Sequence, residues 1–269
     1  MHAHDGPVEM VGGIYQVRKE LGRGAMGRIL LAKDIVLNRR VAIKLPLTDQ
    51  AASMLLSEGR ALAALSHPSL PTIHAAGNHD GKPFLVMELL HGTSLEERLE
   101  LAEEHGQSIG MRECVSVLTC MAEALHAIHA AGIAHRDIKP ENVLVCKRGP
   151  VLIDFGLVVP EYDASDQRVY GGSPLYVSPE VIKGNAIRCA GGLADRYSLG
   201  ITAYELLTGT VPFDADTLED ILRMHVEAPI PDPRMLRPNI PGPLAELITE
   251  LMAKQPGRRP QVAEDVVWR

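Results

Sequence analysis

Four cysteines, Cys114, Cys120, Cys146 and Cys189, are all that the sequence holds. None falls in a C-x-x-C pair or at a zinc-ligand spacing, which excludes a thiol redox motif and a zinc module and fits buried thiols in a reducing compartment. No apolar run approaches the ~18 residues that span a bilayer, and residues 1–9 lack the basic-then-apolar order of an export signal. The expected location is cytoplasmic, with no membrane span in the chain. Internal repeats and low-complexity tracts are absent too. So is a surplus of positive charge: 34 acidic against 27 basic residues leave a formal net charge of −7. That argues against nucleic acid or an anionic membrane as the main partner, and the basic pairs Arg39-Arg40 and Arg258-Arg259 are too short to reverse it.

What is present is a chain of 269 residues, 46% of them hydrophobic, enough to bury the core of one large domain or of two lobes. Residues 1–12 read as a flexible N-terminus. The first third then reads as strands: Ile14 to Val17, Arg28 to Ala32, Arg40 to Leu45, Ile73 to Ala76 and Phe84 to Glu88 are short apolar runs parted by Gly or polar turns. One helix interrupts them, Gln50 to Leu65, with Leu55, Leu56, Leu62 and Leu65 as its apolar positions. After Gly92 helices take over. Met111 to Ala131 carries Val115, Leu118, Ala122, Leu125 and Ile128 on one stripe, and Ser198 to Leu207 reads as a buried helix stopped by Gly209 and Pro212. Short strands fit Val143 to Cys146 and Val151 to Ile153. The expected fold class is α+β and bilobal: a strand-rich N-lobe with one main helix at 13–87, a hinge at 88–92 and a mostly helical C-lobe at 93–269.

Three motifs carry chemistry. Gly22, Gly24 and Gly27 form a G-x-G-x-x-G loop, filled by Arg23, Ala25 and Met26 and followed by Arg28 and Ile29. Glycines let backbone N–H groups approach phosphate oxygens. Because Ile29 to Ala32 continues as strand, not helix, the loop reads as a flap over nucleotide phosphates and not as a dinucleotide fingerprint. Next, Lys44 ends the apolar strand Val41-Ala42-Ile43. An ammonium there is costly unless anions meet it, and Glu58 in the following helix is the natural carboxylate, with phosphates the second partner. The strongest constellation is His135-Arg136-Asp137-Ile138-Lys139-Pro140-Glu141-Asn142, followed by Asp154-Phe155-Gly156. It gathers Asp137, Asn142 and Asp154, the oxygen ligands and carboxylate base that phosphoryl transfer with magnesium requires, and Lys139, which can neutralise the moving charge.

In this order the motifs resemble the eukaryotic-type (Hanks-type) serine/threonine protein kinases, in a bacterial-like form, over about Gly13 to Arg269. The resemblance implies ATP with Mg2+, or Mn2+ in its place, and a protein substrate. It makes Asp137 the catalytic base, sets Lys139 on the γ-phosphate, and gives Asn142 and Asp154 to the metal. It places the nucleotide against Leu21, the loop from Gly22 to Ile29, Ala42, Lys44 with Glu58, the gatekeeper Met87, the hinge residues Glu88 and Leu90, and Leu144. It further implies a packed spine of Leu62, Ile73, His135 and Phe155 anchored at Asp195, so His135 is read as structural, like the other, singly scattered histidines. Gly172-Ser173-Pro174-Leu175-Tyr176 resembles the substrate-docking G-T-P-x-Y segment, with Ser173 in the threonine position and Tyr176 conserving the motif's end. Together with Lys139 this favours serine or threonine as acceptor.

Some positions depart from the family pattern. Ser178-Pro179-Glu180 stands for A-P-E, with Arg259 as the expected partner of Glu180, and Gln255 stands where Asp is frequent. Gly59, directly after Glu58, either loosens its helix and makes the Lys44–Glu58 pair conditional, or allows close packing. Arg136 marks the group often activated by loop phosphorylation, yet Leu157 to Gly172 has no threonine; Ser165 and Tyr170 are its candidate phosphosites, and the expectation is either autophosphorylation at Ser165 or a segment whose acids Glu161, Asp163 and Asp166 partly substitute for phosphate. Autophosphorylation in trans would need a transient homodimer. The chain stops at Val267-Trp268-Arg269, where the last helix of the family is only starting. Two other readings stay open: a pseudokinase scaffold, against which stand the intact catalytic positions, and a small-molecule phosphotransferase, which would lack the segment from Gly172 to Glu180.

Overall fold

The computed structural model describes residues 9–24, 27–154, 159–160, 173–184 and 191–260. The chain divides into two compact units, one of Met1–Ser66 and Pro71–His91, the other of His67–Leu70 and Gly92–Arg269. The first is built on a six-stranded antiparallel sheet: β1 (Met10–Val11), β2 (Tyr15–Arg23), β3 (Gly27–Asp34), β4 (Arg39–Pro46), β5 (Ile73–His79) and β6 (Lys82–Glu88), in the order β1-β2-β3-β4-β6-β5. Alternation puts Leu30 and Ala32 of β3, Val41, Ile43 and Leu45 of β4, and Phe84 and Val86 of β6 into one core with Val11 and Tyr15. Burying each of the larger side chains contributes about 1.5–3 kcal/mol. Tyr15 and Phe84 meet edge to face, ring centroids 5.9 Å apart. Asp80 and Gly81, at φ +51° and +78°, make the two-residue turn between β5 and β6 that a D-G pair favours.

β2 is longer than the run from Ile14 to Val17 predicted from apolar residues. It continues to Arg23 through two register shifts against β3, although its last six residues are exposed. Main-chain pairing sustains the strand there, and periodicity does not register main-chain pairing. The helix of this unit, α1 (Asp49–Ala63), begins at Thr48, whose Oγ1 accepts from the Ala51 N–H at 3.1 Å. Leu55 and Leu62 are buried while Leu56 is exposed, so the apolar stripe is narrower than expected. Gly59 faces β6: a Cβ there would stand 2.7 Å from Leu85 Cδ1, and Leu85 is itself buried. The close-packing reading of Gly59 thus has a physical cause.

The second unit opens with β7 (Gly92–Ser94) and α2 (Leu95–Glu104), a helix that the apolar pattern did not announce. Its signature was present as Ser94-x-x-Glu97: Ser94 Oγ accepts from the Glu97 N–H at 3.0 Å, and Glu97 accepts from the Ser94 N–H at 2.9 Å. The long helix α3 (Met111–Ala130) packs against α5 (Gly191–Thr208), and α5 packs in turn on α7 (Gly242–Leu251). On α3 the buried stripe runs through Cys114, Val117, Leu118, Met121, Ala122, Leu125 and Ile128; Val115, expected on it, is exposed. β9 (Val143–Cys146) pairs with β7 on one side and β10 (Gly149–Leu152) on the other, and β8 (Ile133–Ala134) pairs with β11 (Val159–Pro160). Residues 67–70 join this unit because the Leu152 N–H donates to Ser69 O at 2.9 Å. α4 (Pro179–Ile182) and α6 (Leu218–Glu227) complete it. No helix among the described residues is long and apolar enough to cross a membrane.

Beside α6 lies a buried polar cluster. Tyr197 and His225 Nδ1 share a hydrogen bond of 2.9 Å, and Phe213 meets the His225 ring at 5.1 Å. Lys254 Nζ lies 3.9 Å from the Phe213 centroid and donates to Met224 O and His225 O, the carbonyls that end α6. Burial, assisted by the Lys254 ammonium, pushes the His225 imidazole down to about 4.

Two outcomes follow. Gly59→Ala gains about 1 kcal/mol in helix propensity but forces Leu85 aside in a packed core, at about 1–3 kcal/mol; thermal unfolding should therefore show a lower Tm. A raised Tm would mean that Leu85 yields freely. For His225, the unfolded imidazole titrates near 6.5 and the folded one lower, so the unfolded chain binds more protons in between. Stability is full above about pH 6.5 and falls as pH drops towards 4. In His225→Gln that part of the loss should vanish, as read by urea unfolding across pH 7 to 4.

Candidate active site

Lys44 occupies the last pair of the β4–β6 register, opposite Leu85, and is 7% exposed. Its Nζ donates to Glu58 Oε1 at 3.0 Å and Oε2 at 2.9 Å from α1, and Glu58 is 3% exposed. A buried ion pair of this kind is not a cheap source of stability. Its value lies in holding an ammonium at a fixed place. At the β2–β3 turn the Gly24 N–H donates to Gly27 O at 2.9 Å. Gly27 must be glycine for a local reason: a Cβ would sit 2.4 Å from Leu45 O on β4, whereas Gly22 and Gly24 have open space around theirs. Arg23 is engaged with Glu20 and Arg28 with Glu9, both at the surface. Leu21 is exposed and Ile29 half-buried. Ala42 is buried and pairs with Met87, which is half-buried and also pairs with Ile73. The Glu88 N–H donates to Thr72 O at 2.9 Å, and Leu90 follows in the link 89–91, which has no regular secondary structure.

In the second unit the catalytic-loop sequence is held from below by α5. Asp195, fully buried, accepts from the N–H groups of His135 (2.8 Å) and Arg136 (2.7 Å) and from His129 Nε2 on α3 (2.8 Å). Burial alone would raise its pKa; the His129 bond and the loop N–H groups outweigh it and hold the carboxyl below its usual range. Arg136 is thereby fixed at φ +66°, an uncommon conformation for a side-chain-bearing residue. His135 is fully buried, its pKa lowered by burial, and its Nδ1 accepts from the Asp137 N–H at 3.3 Å.

The side chains that follow converge. Asn142 Nδ2 donates to Asp137 O and to Asp137 Oδ2, both at 2.8 Å. Lys139 Nζ donates to Ser173 Oγ at 3.0 Å, stands 2.7 Å from Glu141 Oε2 and 3.4 Å from Asp137 Oδ2. The main chain closes the arrangement, with the Ile153 N–H donating to Asn142 O at 2.8 Å. Asp154 follows at φ +58°, on the exposed side of the described chain. Leu144, half-buried on β9, pairs with Ser94 and Val151. Asp137, Lys139, Asn142 and Ser173 are therefore brought together.

Tyr176 is tied to α5: its hydroxyl donates to Glu205 Oε2 at 2.7 Å, and Ser198 Oγ donates to Tyr176 O at 2.8 Å. Burial, then Glu205, raises the Tyr176 pKa. Below it Glu180 and Arg259 form a buried two-pronged pair at 2.6 and 2.8 Å, with Arg259 also donating to Leu193 O and Ala253 O. Ser178, in the alanine position, has a buried hydroxyl without a partner among the described residues. Ala25, Met26, Phe155, Gly156, Glu161, Asp163, Ser165, Asp166, Tyr170, Gly172 and Cys189 lie outside the described residues. Sequence reasoning missed the parts of His129, Glu141 and Glu205. Glu141 lay within the quoted motif, but nothing in the pattern says which carboxylate meets which lysine; His129 and Glu205 gave no signal at all, since their partners lie 66 and 29 residues away.

The chain matches the model of the protein kinase domain over residues 15–267. Among curated relatives it is 34% identical over 95% of its length to the DNA damage-responsive serine/threonine-protein kinase RqkA of Deinococcus radiodurans. It is 33% identical over 94% to the probable serine/threonine-protein kinase pknA2 of Bifidobacterium longum, and 31% over 95% to the serine/threonine-protein kinase PrkC of Bacillus subtilis. It spans 39%, 34% and 40% of these three relatives.

Removing Arg259 would strand the Glu180 carboxylate in the interior. Arg259→Ala should therefore cost about 3–5 kcal/mol in urea unfolding, while replacing both partners by apolar residues, Glu180→Met with Arg259→Leu, recovers most of it. An Arg259→Ala protein as stable as the parent would contradict the buried pair.

Proposed function

The chain belongs to the protein kinase family, and from that premise we propose that it transfers the γ-phosphoryl group of ATP to serine or threonine hydroxyls of protein substrates. The observation that carries this is the joining of Asp137, Lys139 and Asn142 with Ser173, a residue of the segment that resembles a peptide-docking element. A small-molecule phosphotransferase has no use for that segment, and a scaffold has no use for the base.

Each residue then has a part. Asp137 accepts the proton of the acceptor hydroxyl as its oxygen attacks phosphorus. The contacts of Asn142 and Lys139 converge on its Oδ2, so Oδ1 is the oxygen offered to the hydroxyl. Lys139 meets the charge on the transferring group, and Ser173, bound to it, ties the docking segment to the same point. Lys44, held by Glu58, meets the α- and β-phosphates, and the glycine turn at 22–27 lets main-chain N–H groups approach them. The donor set fits a magnesium ion: with its amide nitrogen turned to Asp137, Asn142 offers its carbonyl oxygen, and Asp154 adds a carboxylate, both hard ligands. Bound magnesium supplies neutralisation of phosphate charge and fixes the phosphates for in-line transfer. In the first unit, main-chain groups at Glu88 and Leu90, with Leu21, Ala42 and Met87 as apolar surface, hold the adenine.

The test is transfer of labelled γ-phosphate from Mg-ATP to the protein itself and to a generic basic protein. Asp137→Asn should lower the rate about 10²–10⁴-fold, with label recovered as phosphoserine or phosphothreonine. Clear ATP binding without transfer, or transfer that survives the substitution, would refute this reading.

A further inference from the structure

Lys139 has three N–H donors, and three acceptors surround it: Ser173 Oγ at 3.0 Å, Glu141 Oε2 at 2.7 Å and Asp137 Oδ2 at 3.4 Å. The tightest of the three is not the base but Glu141, two residues along the chain, whose carboxylate is more than half exposed. An exposed carboxylate exchanges its partner for water at little cost, whereas Asp137 and Ser173 are fixed by the fold. We propose that Glu141 is a positioning residue: it holds the Lys139 ammonium off the Asp137 carboxylate, and is the acceptor that Lys139 relinquishes to a phosphate oxygen. The inference rests on the phosphotransfer reading for its kinetic consequence, though the Glu141–Lys139 bond itself does not.

The physical reasoning is a competition for one ammonium. Without Glu141, Lys139 has a single carboxylate beside it and closes on Asp137 Oδ2. The base then spends its charge on a lysine instead of on the substrate hydroxyl. Burial also works against the ammonium, and its pKa is raised only because Glu141 and Asp137 more than offset that burial. Among the described residues, Glu96 also faces the pair, from the helix α2 that packs over the turn at 140–142; its carboxyl is pushed up by burial and by Glu141. It is too weakly placed to stand in, since no Lys139–Glu96 ion pair is formed among the described residues.

Two measurements test this in Glu141→Gln, with Glu141→Asp as the conservative variant and Glu103→Gln, an exposed charge at the far end of α2, as control. The first needs no catalysis: trace acetylation with acetic anhydride at pH 8, followed by peptide mass spectrometry. Lys139 should label about threefold faster or more in Glu141→Gln, with other lysines unchanged, because the amine loses its tightest carboxylate contact, a partly exposed one. The second is steady-state kinetics of phosphotransfer. Relative to the parent, kcat should fall about threefold to fivefold, the scale of a partly exposed ion pair. KM for ATP should stay within about twofold, so that the loss falls on kcat. Glu141→Asp should restore most of both. Lys139 labelling equal to the parent overturns the proposal whatever the enzyme does. Faster labelling with an unchanged kcat overturns the positioning role, as does a change confined to KM for the protein substrate, which would make Glu141 a substrate contact. A parent protein with normal labelling behaviour but no phosphotransfer would instead bring down the kinase reading.

Discussion

One carboxylate without solvent contact organises the second unit. Asp195 rises from α5 and accepts from His129 on α3 and from two consecutive main-chain N–H groups of the loop. Such an anion is tolerable in the interior only because all three donors reach it. The consequence is geometric. Two adjacent N–H groups aimed at one carboxylate oblige the chain to turn sharply at Arg136, and the turn carries Asp137 away from the core while His135 is driven into it. Asp137 thus owes its position to a residue 58 positions later in the chain, and the shape of the loop depends on the packing of α3 against α5.

The same economy of paired charge recurs at three depths. Lys44 and Glu58 are nearly inaccessible and bound through both carboxylate oxygens; Glu180 and Arg259 are so too, with Arg259 reaching two carbonyls besides. Lys139 and Glu141 are only partly covered. Burial separates their roles. The first two pairs are shielded from solvent, so they fix a group or fasten a segment. The third can exchange with solvent, which suits a group that has to change partners during a reaction cycle.

Much of the site was legible in the sequence because the chemistry of phosphoryl transfer is local. Asp137, Lys139 and Asn142 sit within six residues, and the bonds from Asn142 to Asp137 span a five-residue interval. The Lys44–Glu58 pair was legible for another reason: a lysine at the end of an apolar strand demands an anion, and few acids lie near enough in the chain. The Glu180–Arg259 pair came from the resemblance, across 79 residues. Helix α2 escaped notice because its capping box is a pattern of two polar residues, and the tail of β2 because exposed side chains conceal a paired main chain.

What the sequence determined by itself was the inventory and its order: strands before helices, the glycine turn, and the residues whose chemistry requires company. Periodicity and spacing suffice for that, since both are properties of neighbouring residues. The tertiary structure decided which company each residue keeps. That Gly27 is glycine because Leu45 O lies against it, that Gly59 gives way to Leu85, that Tyr176 is tied to Glu205, and that His129 completes the shell of Asp195 are contacts between elements distant in sequence. Their partners are selected by packing, where volume and unpaired polar groups set the cost, and no local pattern encodes that selection.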